Sequence, residues 1–257
     1  MTKYLKDFVL VENARLSAMY SLLKLRPVDG VMPPVNPGQF AQVEVPGSKA
    51  TFLRRPISIN FVDAGENLLW LLVRKAGDGT SALISAREGS VINILLPLGR
   101  GFSIATAGSV LLVGGGVGVA PLLYLGKVLR DGGVDVSFLL GARSEAHLLE
   151  LRDFGKYGPV HIATEDGSVG VRGFVTHHPA LNGAYGMIQC CGPLPMMKAV
   201  AKAAKGNGVP CEVSLENVMA CGIGACLCCV EDTADSGNVC VCTEGPVFNV
   251  ERLKWQI

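Results

Sequence analysis

The sequence predicts a multidomain protein of the β plus α/β class: an antiparallel β-barrel, an α/β domain with a parallel sheet, and a small C-terminal cysteine-rich module. Short apolar or alternating runs broken by Pro and Gly fill roughly the first hundred residues. Strands alternate with helices after Thr106, and six of the nine cysteines follow residue 220. At 257 residues the chain is long enough for this organisation. We place the domains at residues 1–103, 104–211 and 212–257.

Composition and charge exclude several classes of partner. A formal net charge of +1 at pH 7 offers no basic face for nucleic acid. The start, MTKYLKDFVLVENARL, resembles neither a signal nor a transit peptide, so we expect a cytoplasmic protein. The run Ser109–Gly126 is apolar and long enough to be tested as a membrane span. Its GGGVGVAP centre favours a strand, a glycine loop and a helix instead, and we expect no membrane association.

The first domain reads as a barrel because its runs are short and evenly spaced. FVLVENARL, YSLLKLRP, GQFAQVEVPG, ISINFVDAG, LLWLLVRKAG and SVINILLPLG are typical of antiparallel strands. One short helix is predicted, roughly from Gly79 to Ala86. Thr80 or Ser81 would cap it, which leaves free backbone N–H groups at its start as an anion site.

Two stretches of the barrel carry candidate ligand-binding chemistry. LRRPISI holds Arg54, Arg55 and Ser58, and arginine forks suit a phosphate while an extended backbone suits the edge of a planar ring. The second stretch is the glycine turn Gly77–Ser81. An arginine pair is usually a solvated face and a glycine turn usually only a turn. Together, the two stretches could hold a pyrophosphate from two sides.

The middle domain is predicted to be α/β with a parallel sheet. SVLLVGGGVGVAPLLYLGKVLRDGG reads as a buried strand, a glycine loop and a helix, and VDVSFLLGARS, VHIATED and GMIQCCGP supply further strands. The loop departs from the dinucleotide pattern G-x-G-x-x-G because Val119 occupies the third glycine position. Its glycines either let a cofactor diphosphate approach the helix or let strand and helix pack closely.

The strand end Cys190-Cys191-Gly192-Pro193 lies where open α/β sheets bind ligands. Cys191 could face a nicotinamide ring, although a buried thiol packed as a small hydrophobic residue is the alternative. The four histidines show no ligand spacing to any cysteine, so we interpret them as surface or capping residues.

The C-terminal cysteines follow the C-x4-C-x2-C…C spacing of a plant-type [2Fe–2S] site. Glycines between the first two suit a loop that wraps a cluster closely. Zinc sites more often pair two C-x2-C knuckles, of which only one exists here, and a disulfide knot is the other alternative. The cysteines are Cys221, Cys226, Cys229 and Cys242, with Cys240 competing for the last place.

Barrel, α/β domain and cysteine module together resemble the ferredoxin–NADP reductase superfamily, and within it the electron-transfer subunits of dihydroorotate dehydrogenase B. The resemblance covers nearly the whole chain. The motifs that carry it are RRPISI, GDGT, LPLGRGF, GGGVGVAPLL, TEDGS-x-G-x-RGFVT, CCGPLPMM, EVSLE and MACGIGAC, followed by VCTEGPVF.

The resemblance implies three groups of site residues. The FAD group is Arg55, Pro56, Ile57, Ser58, Gly79 and Thr80, with Val73 and Arg74 in the same groove. The NAD(H) group is Gly115, Gly116, Gly118 and Cys191. The ligands of the [2Fe–2S] cluster are Cys221, Cys226, Cys229 and Cys242. Cys242 is preferred to Cys240 because the last ligand of the family immediately precedes a segment like TEGPVF.

The sequence also departs from the superfamily pattern. Cys228 and Cys240 are extra thiols that could replace a lost ligand. Plant-type members often end in an aromatic residue that covers the flavin, whereas this chain continues into the cysteine module. Glu216 in EVSLE is a candidate neighbour of the flavin.

The resemblance implies an oxidoreductase subunit for pyrimidine biosynthesis, in which dihydroorotate is oxidised to orotate. FAD would exchange hydride with NAD(H) and single electrons with the cluster, so no catalytic side chain is required. The chain is too short to add a TIM barrel, so the dihydroorotate site would lie on a separate FMN-containing subunit, in a heterotetramer. The alternatives are the small subunit of an NAD(P)H–ferredoxin or sulfide-type oxidoreductase and a redox-sensing module. Arg143 leaves the choice between NADH and NADPH open.

Overall fold

The computed structural model describes residues 2–47 and 51–257. Six antiparallel strands close a barrel in the order β1-β2-β5-β4-β3-β6, as the sequence predicts. The strands are β1 (Tyr4–Arg15), β2 (Tyr20–Pro27), β3 (Phe40–Val43), β4 (Arg55–Asp63), β5 (Leu68–Arg74) and β6 (Val91–Leu98). Helix α1 (Asp78–Ile84) follows β5. The barrel interior is filled by Phe8, Leu10, Leu23, Ile59 and Leu71, all fully buried.

The second unit is a seven-stranded sheet in the order β10-β9-β8-β7-β11-β12-β15. All neighbouring strands are parallel except β12 and β15. The strands are β7 (Ser109–Gly115), β8 (Asp135–Ala142), β9 (Val160–Thr164), β10 (Val171–Arg172), β11 (Met187–Cys191), β12 (Cys211–Ser214) and β15 (Val247–Asn249). The central strand β7 is apolar along its length because helices cover both faces of a parallel sheet.

The helices of this unit are α2 (Ala120–Asp131), α3 (Leu151–Phe154) and α4 (Leu194–Gly206). Strand β7 leads through a 3-10 turn (Gly116–Val119) into α2, so the run tested as a membrane span is a strand, a turn and a helix. In the described part of the chain, no helix has the length and hydropathy needed to cross a membrane.

The cysteine-rich module contains a two-stranded sheet and one short helix. They are β13 (Val230–Thr233), β14 (Gly237–Cys240) and α5 (Val241–Glu244). Strand β15 then returns to the main sheet and pairs antiparallel with β12, through Val213 opposite Phe248. The module is thereby anchored to the α/β unit. The domain boundaries 1–103, 104–211 and 212–257 stay a prediction.

The barrel packs against helix α2. Phe61 and Leu72 of the barrel share one buried cluster with Leu122 and Leu123 of α2. Asn60, fully buried beside them, donates from Nδ2 to the Ala120 carbonyl at 3.2 Å. The barrel therefore faces the start of α2, where the glycine loop ends.

Candidate flavin, nucleotide and cluster sites

The two candidate ligand-binding stretches of the barrel meet in space. Arg55 begins β4, and its guanidinium lies over Gly79 at the start of α1. A Cβ on Gly79 would lie 2.9 Å from Arg55 Cζ, so only glycine allows this approach. The arrangement fits a pyrophosphate held between an arginine and a helix start.

Arg54 faces away from this groove. Its Nη1 donates to the Asn93 carbonyl at 2.8 Å, and its Nη2 donates to Asn93 Oδ1 at 2.6 Å. Arg54, which directly precedes β4, is therefore tied to β6, while Arg55 alone of the pair reaches the glycine turn. The sequence could not separate the two, because adjacent residues of an irregular strand start have no fixed face.

The cap of α1 differs from the prediction. Gly77, not Thr80 or Ser81, is the N-cap residue. Thr80 lies at the third helical position, and its Oγ1 accepts from the backbone N–H groups of Ala76 at 2.8 Å and Gly77 at 3.1 Å. The hydroxyl thus stabilises the turn before the helix, as in a capping box.

The remaining predicted FAD residues divide between core and groove. Ile57 and Val73 are buried in the barrel core, so only their backbones are available to a ligand. Pro56 and Ser58 are half-buried on β4, opposite β3. Arg74, at the end of β5, is exposed and lines the large cleft between the barrel and the sheet.

That cleft is a cavity of about 530 Å³ at the carboxyl ends of the parallel strands. Strand β7 lies between β8 and β11, so the chain order reverses at this point, where open α/β sheets bind nucleotides. Strand ends and the start of α4 supply most of its lining. The lining includes Gly115, Gly116, Arg143, Glu165 and Met196.

The glycine loop has a geometry that suits both of the interpretations that the sequence left open. A Cβ on Gly118 would lie 2.5 Å from Gly192 Cα, so Gly118 permits close packing of loop and strand end. Gly116 has φ +57° and open space around its missing Cβ, and it lines the cleft. Gly116 thus leaves room for a ligand to approach the backbone.

The sequence pattern did not indicate Glu165 and Met196 as cleft residues, whereas Arg143 was already a candidate contact of the nucleotide. Arg143 follows β8, and Glu165 follows β9, where its N–H donates to the Ala142 carbonyl at 3.0 Å. Glu165 lies in the motif TEDGS, so its place after a predicted parallel strand was the usable sign. Met196 was not predictable, because it enters the cleft from the first turn of α4.

Cys191 is the last residue of β11, and Glu216 follows the end of β12 close to it. Burial raises the pKa of the Cys191 thiol far above its ordinary value, and the Glu216 charge raises it further. Desolvation also raises the pKa of Glu216, partly offset by the Arg74 guanidinium. Cys191 is 2% exposed and therefore a neutral thiol, in keeping with a packing role or a contact with a flat ring.

The backbone of the loop from Cys221 to Cys229 turns tightly around its cysteine side chains. Gly222, Gly224 and Leu227 adopt positive φ values of 71°, 86° and 57°. These turns direct backbone amides at thiol sulfurs: Ile223 N lies 3.4 Å from Cys221 Sγ and Gly224 N lies 3.2 Å from Cys242 Sγ. Amides aimed at cysteine sulfurs are what an iron–sulfur cluster requires of its loop.

Cys242 also contacts the other end of the loop. Its backbone N–H donates to Cys229 Sγ at 3.4 Å, and both thiols are 2% exposed. The amide of Ile223 lowers the pKa of Cys221 to about 6, toward the thiolate that binds iron. Within residues 2–47 and 51–257, no three His, Cys, Asp or Glu side chains lie close enough to ligate one metal ion. The fit to a cluster therefore rests on the amide contacts.

Two of the four histidines cap local turns, as the sequence predicts. His178 Nδ1 accepts from Ala180 N at 3.0 Å, and His177 Nδ1 accepts from Phe174 N at 3.3 Å.

Comparison with known sequences gives consistent matches. The family model "Iron-sulfur cluster binding domain of dihydroorotate dehydrogenase B" matches residues 216–254. A dihydroorotate dehydrogenase B (NAD(+)) electron transfer subunit from Listeria monocytogenes is 42% identical over 229 residues, which are 86% of this chain and 88% of the relative. The subunit of the same name from Fusobacterium nucleatum is 39% identical over 221 residues, 82% and 84% of the two chains.

Solved structures give the same fold. A chain of the NADH-dependent reduced ferredoxin–NADP oxidoreductase is similar with a TM-score of 0.87 and 29% identity, covering 96% of this chain and 90% of that one. The ferredoxin reductase of carbazole 1,9a-dioxygenase is similar with a TM-score of 0.69 and 20% identity, over 82% and 68% of the two chains, which shows the fold alone.

Proposed function

Because the chain belongs to the family of dihydroorotate dehydrogenase B electron transfer subunits, we propose that it carries electrons between NAD(H) and a dihydroorotate dehydrogenase subunit. As a member of this family it is an oxidoreductase component, with FAD and a [2Fe–2S] cluster as cofactors and NAD(H) as substrate. The family name also implies a catalytic partner subunit. The roles of individual residues are part of this proposal.

The barrel residues would bind and orient FAD, which when bound supplies the exchange between hydride and single electrons. Arg55 and the α1 start would hold the pyrophosphate, and the β4 backbone from Pro56 to Ser58 would hold the ring edge. The open backbone at Gly116 would admit the nicotinamide nucleotide to the cleft. Cys191 would limit water at the strand end, since its thiol is neutral and buried.

The observation that carries the proposal is the amide geometry of the cysteine loop. Cys221 and Cys242 each accept a hydrogen bond from a loop amide, while Cys229 accepts one from the amide of Cys242. The start of the same loop contacts Gln42 of the barrel strand β3, because Gln42 Nε2 donates to the Ala220 carbonyl. Strand β3 pairs with β4, the strand proposed to hold the flavin. A nucleotide cleft, a flavin strand and a cluster loop on one chain suit electron transfer rather than chemistry on a substrate carbon.

We further propose that the partner carries FMN and that two copies of each chain form a heterotetramer. Apolar side chains on and beside the cysteine loop support docking there: Val218 is 80% exposed and Leu227 is 65% exposed. A partner seated on this face would bring its own cofactor close to the cluster. The cytoplasmic location expected from the sequence stays a prediction.

Purification of the tagged chain from its host, gently and without oxygen, tests this proposal. We expect a partner chain to co-purify in an amount equal to the tagged chain and to release FMN. Leu227→Asp should reduce the amount of partner chain that is recovered. Val31→Asp, at a 76% exposed position on the barrel, is the matched control and should leave recovery unchanged. A partner with further iron–sulfur clusters and no FMN would contradict the proposal.

One alternative has its own support. The oxidoreductase chain with a TM-score of 0.87 belongs to a system named for reduced ferredoxin and NADP. This observation favours the small subunit of an NAD(P)H–ferredoxin oxidoreductase as the second candidate. The composition of the co-purified partner separates the two.

A further inference from the structure

Gln42 is a fully buried polar residue in the wall of the barrel between the flavin strand and the cysteine loop. It lies on β3, where its partner on β4 is Pro56 of the proposed flavin-binding stretch. On the other side of β3, the register against β6 shifts between Phe40 and Gln42. A shift of this kind re-aims a side chain relative to a regular strand.

The side chain of Gln42 meets the cysteine loop directly. Its Nε2 donates to the Ala220 carbonyl at 3.4 Å, one residue before Cys221. A Cβ on Gly222 would lie 2.7 Å from Gln42 Cγ and 2.8 Å from Nε2. Gly222 also has φ +71°, so both its conformation and its contact with Gln42 require glycine. Gln42 therefore contacts the residues on both sides of the proposed first cluster ligand.

Stability of the barrel does not account for a glutamine at this position. Gln42 Oε1 is buried and has no hydrogen-bond partner in the described part of the chain. An unsatisfied buried acceptor costs free energy that an apolar side chain of similar length would avoid. The neighbours of Gln42 along β3, Ala41 and Val43, are apolar and buried, as such a wall favours. The amide is therefore explained by the loop it touches.

We propose that Gln42 is a positioning residue that sets the cluster loop against the flavin strand and thereby controls the rate of electron transfer from FAD to the cluster. In that step one electron passes from the reduced flavin to the cluster, so the flavin is oxidised by one electron and the cluster is reduced by one electron. NADH is the reductant: its hydride supplies two electrons to the flavin, of which the second stays on the flavin in this step. The inference rests on the proposed function and adds a specific barrel residue to it.

The test uses the full chain with FAD and cluster bound, mixed with NADH without oxygen. Flavin reduction is followed by absorbance, and cluster reduction by freeze-quench EPR. In Gln42→Met we expect an unchanged rate of flavin reduction and a cluster reduction slowed about fivefold, the effect of losing one hydrogen bond. Equal slowing of both steps with loss of FAD, or no change in either step, would overturn the proposal.

Gln189→Met is the matched control. Gln189 is 1% exposed and also has an unpaired buried Oε1, but its Nε2 donates to Ser103 and Glu212 instead of the cysteine loop. The ratio of its two rates should stay at the wild-type value. If Gln189→Met changed this ratio as Gln42→Met does, the slower cluster reduction would follow from the loss of any buried side-chain amide. That result would overturn the proposal.

A second pair of variants tests the contact if Gln42→Met fails to fold. Gly222→Ala should lower the cluster iron content while FAD stays bound, because the new methyl group meets Gln42. Adding Gln42→Ala removes all three nearest atoms and should restore part of the cluster. If the double variant holds no more cluster iron than Gly222→Ala alone, the proposed role of the contact between Gln42 and Gly222 is overturned. A wild-type chain that holds no cluster would instead refute the proposed function.

Discussion

Asn60 on the barrel donates its side-chain amide to the Glu150 carboxylate of the α/β unit, with 3.0 Å between Nδ2 and Oε2. Within the described residues, Asn60 Oδ1 and Glu150 Oε1 are both buried without a partner. Glu150 also has φ +54°, directly before α3. A proton on the carboxyl would remove the cost of burying its charge at this contact between the two units.

Glu150 should therefore make stability depend on pH. Desolvation raises its pKa to about 8, the Asn60 hydrogen bond opposes the rise, and the Asp153 charge adds to it. Because the folded pKa exceeds the ordinary value of 4.5, the contribution is fully present below about pH 4.5 and is lost as pH rises through about 8. Glu150→Gln should reduce this loss of stability with rising pH. At pH 8.5 its unfolding temperature should be higher than that of the wild type, and its free energy of unfolding should be larger by an amount on the order of a few kcal/mol.

Thermal unfolding of the full chain at pH 5.5 and 8.5 measures this effect. Glu145→Gln, at an exposed position of the same connection, is the control and should retain the wild-type pH dependence. A wild-type chain equally stable at both pH values would show that Glu150 is ionised in the folded state.

Arg55→Ala should release FAD. The guanidinium lies over Gly79, and Arg54 cannot replace it because Arg54 is engaged with Asn93. We expect flavin in the filtrate after ultrafiltration, with at least a tenfold weaker affinity, in line with the loss of a charge-assisted hydrogen bond. Arg54→Ala is the matched control and should retain flavin. Retention by Arg55→Ala would remove Arg55 from the site.

Cys242→Ser should abolish the cluster, whereas Cys240→Ser should leave it. Cys242 Sγ accepts from Gly224 N, and Cys242 N donates to Cys229 Sγ, so this residue contacts both halves of the loop. Iron and labile sulfide per chain are the measurement. The opposite pattern, with loss only in Cys240→Ser, would identify Cys240 as the fourth ligand.

Gly118→Ala should destabilise the chain more than Gly116→Ala. A Cβ on Gly118 would meet the backbone of Cys191 and Gly192, which cannot move as a side-chain end can. Overpacking of this kind costs roughly 1–3 kcal/mol. At Gly116 the space is open, so the cost is the positive φ alone, about 1 kcal/mol. Unfolding temperatures decide the order, and a greater loss in Gly116→Ala would contradict it.

Much of the architecture followed from pattern. The barrel was predictable because its strands alternate and are punctuated by Pro and Gly, and the sheet because β7, β8, β9 and β11 are buried runs separated by helices. Strand β15 was not predicted. Its three residues are too few to show a period, and its pairing with β12 depends on the path of the whole cysteine module.

The sites divide in the same way. Arg55, the glycine loop and the cysteines lie in local motifs whose chemistry is readable from residue type and spacing. Gln42 and Glu150 are defined by side-chain hydrogen bonds to residues that lie 178 and 90 positions away in the chain. Such contacts leave no local period. The predicted N-cap of α1 was wrong for a related reason. Gly77 has no side chain that could signal a cap in the sequence.

The most direct test of electron transfer between NAD(H) and dihydroorotate uses the chain purified with its partner, without oxygen. Dihydroorotate and NADH are added separately, and the EPR spectrum of the [2Fe–2S] cluster is recorded. We predict that each donor alone reduces the cluster. Reduction by NADH and not by dihydroorotate, with the partner still bound, would contradict the account and favour the ferredoxin-linked oxidoreductase.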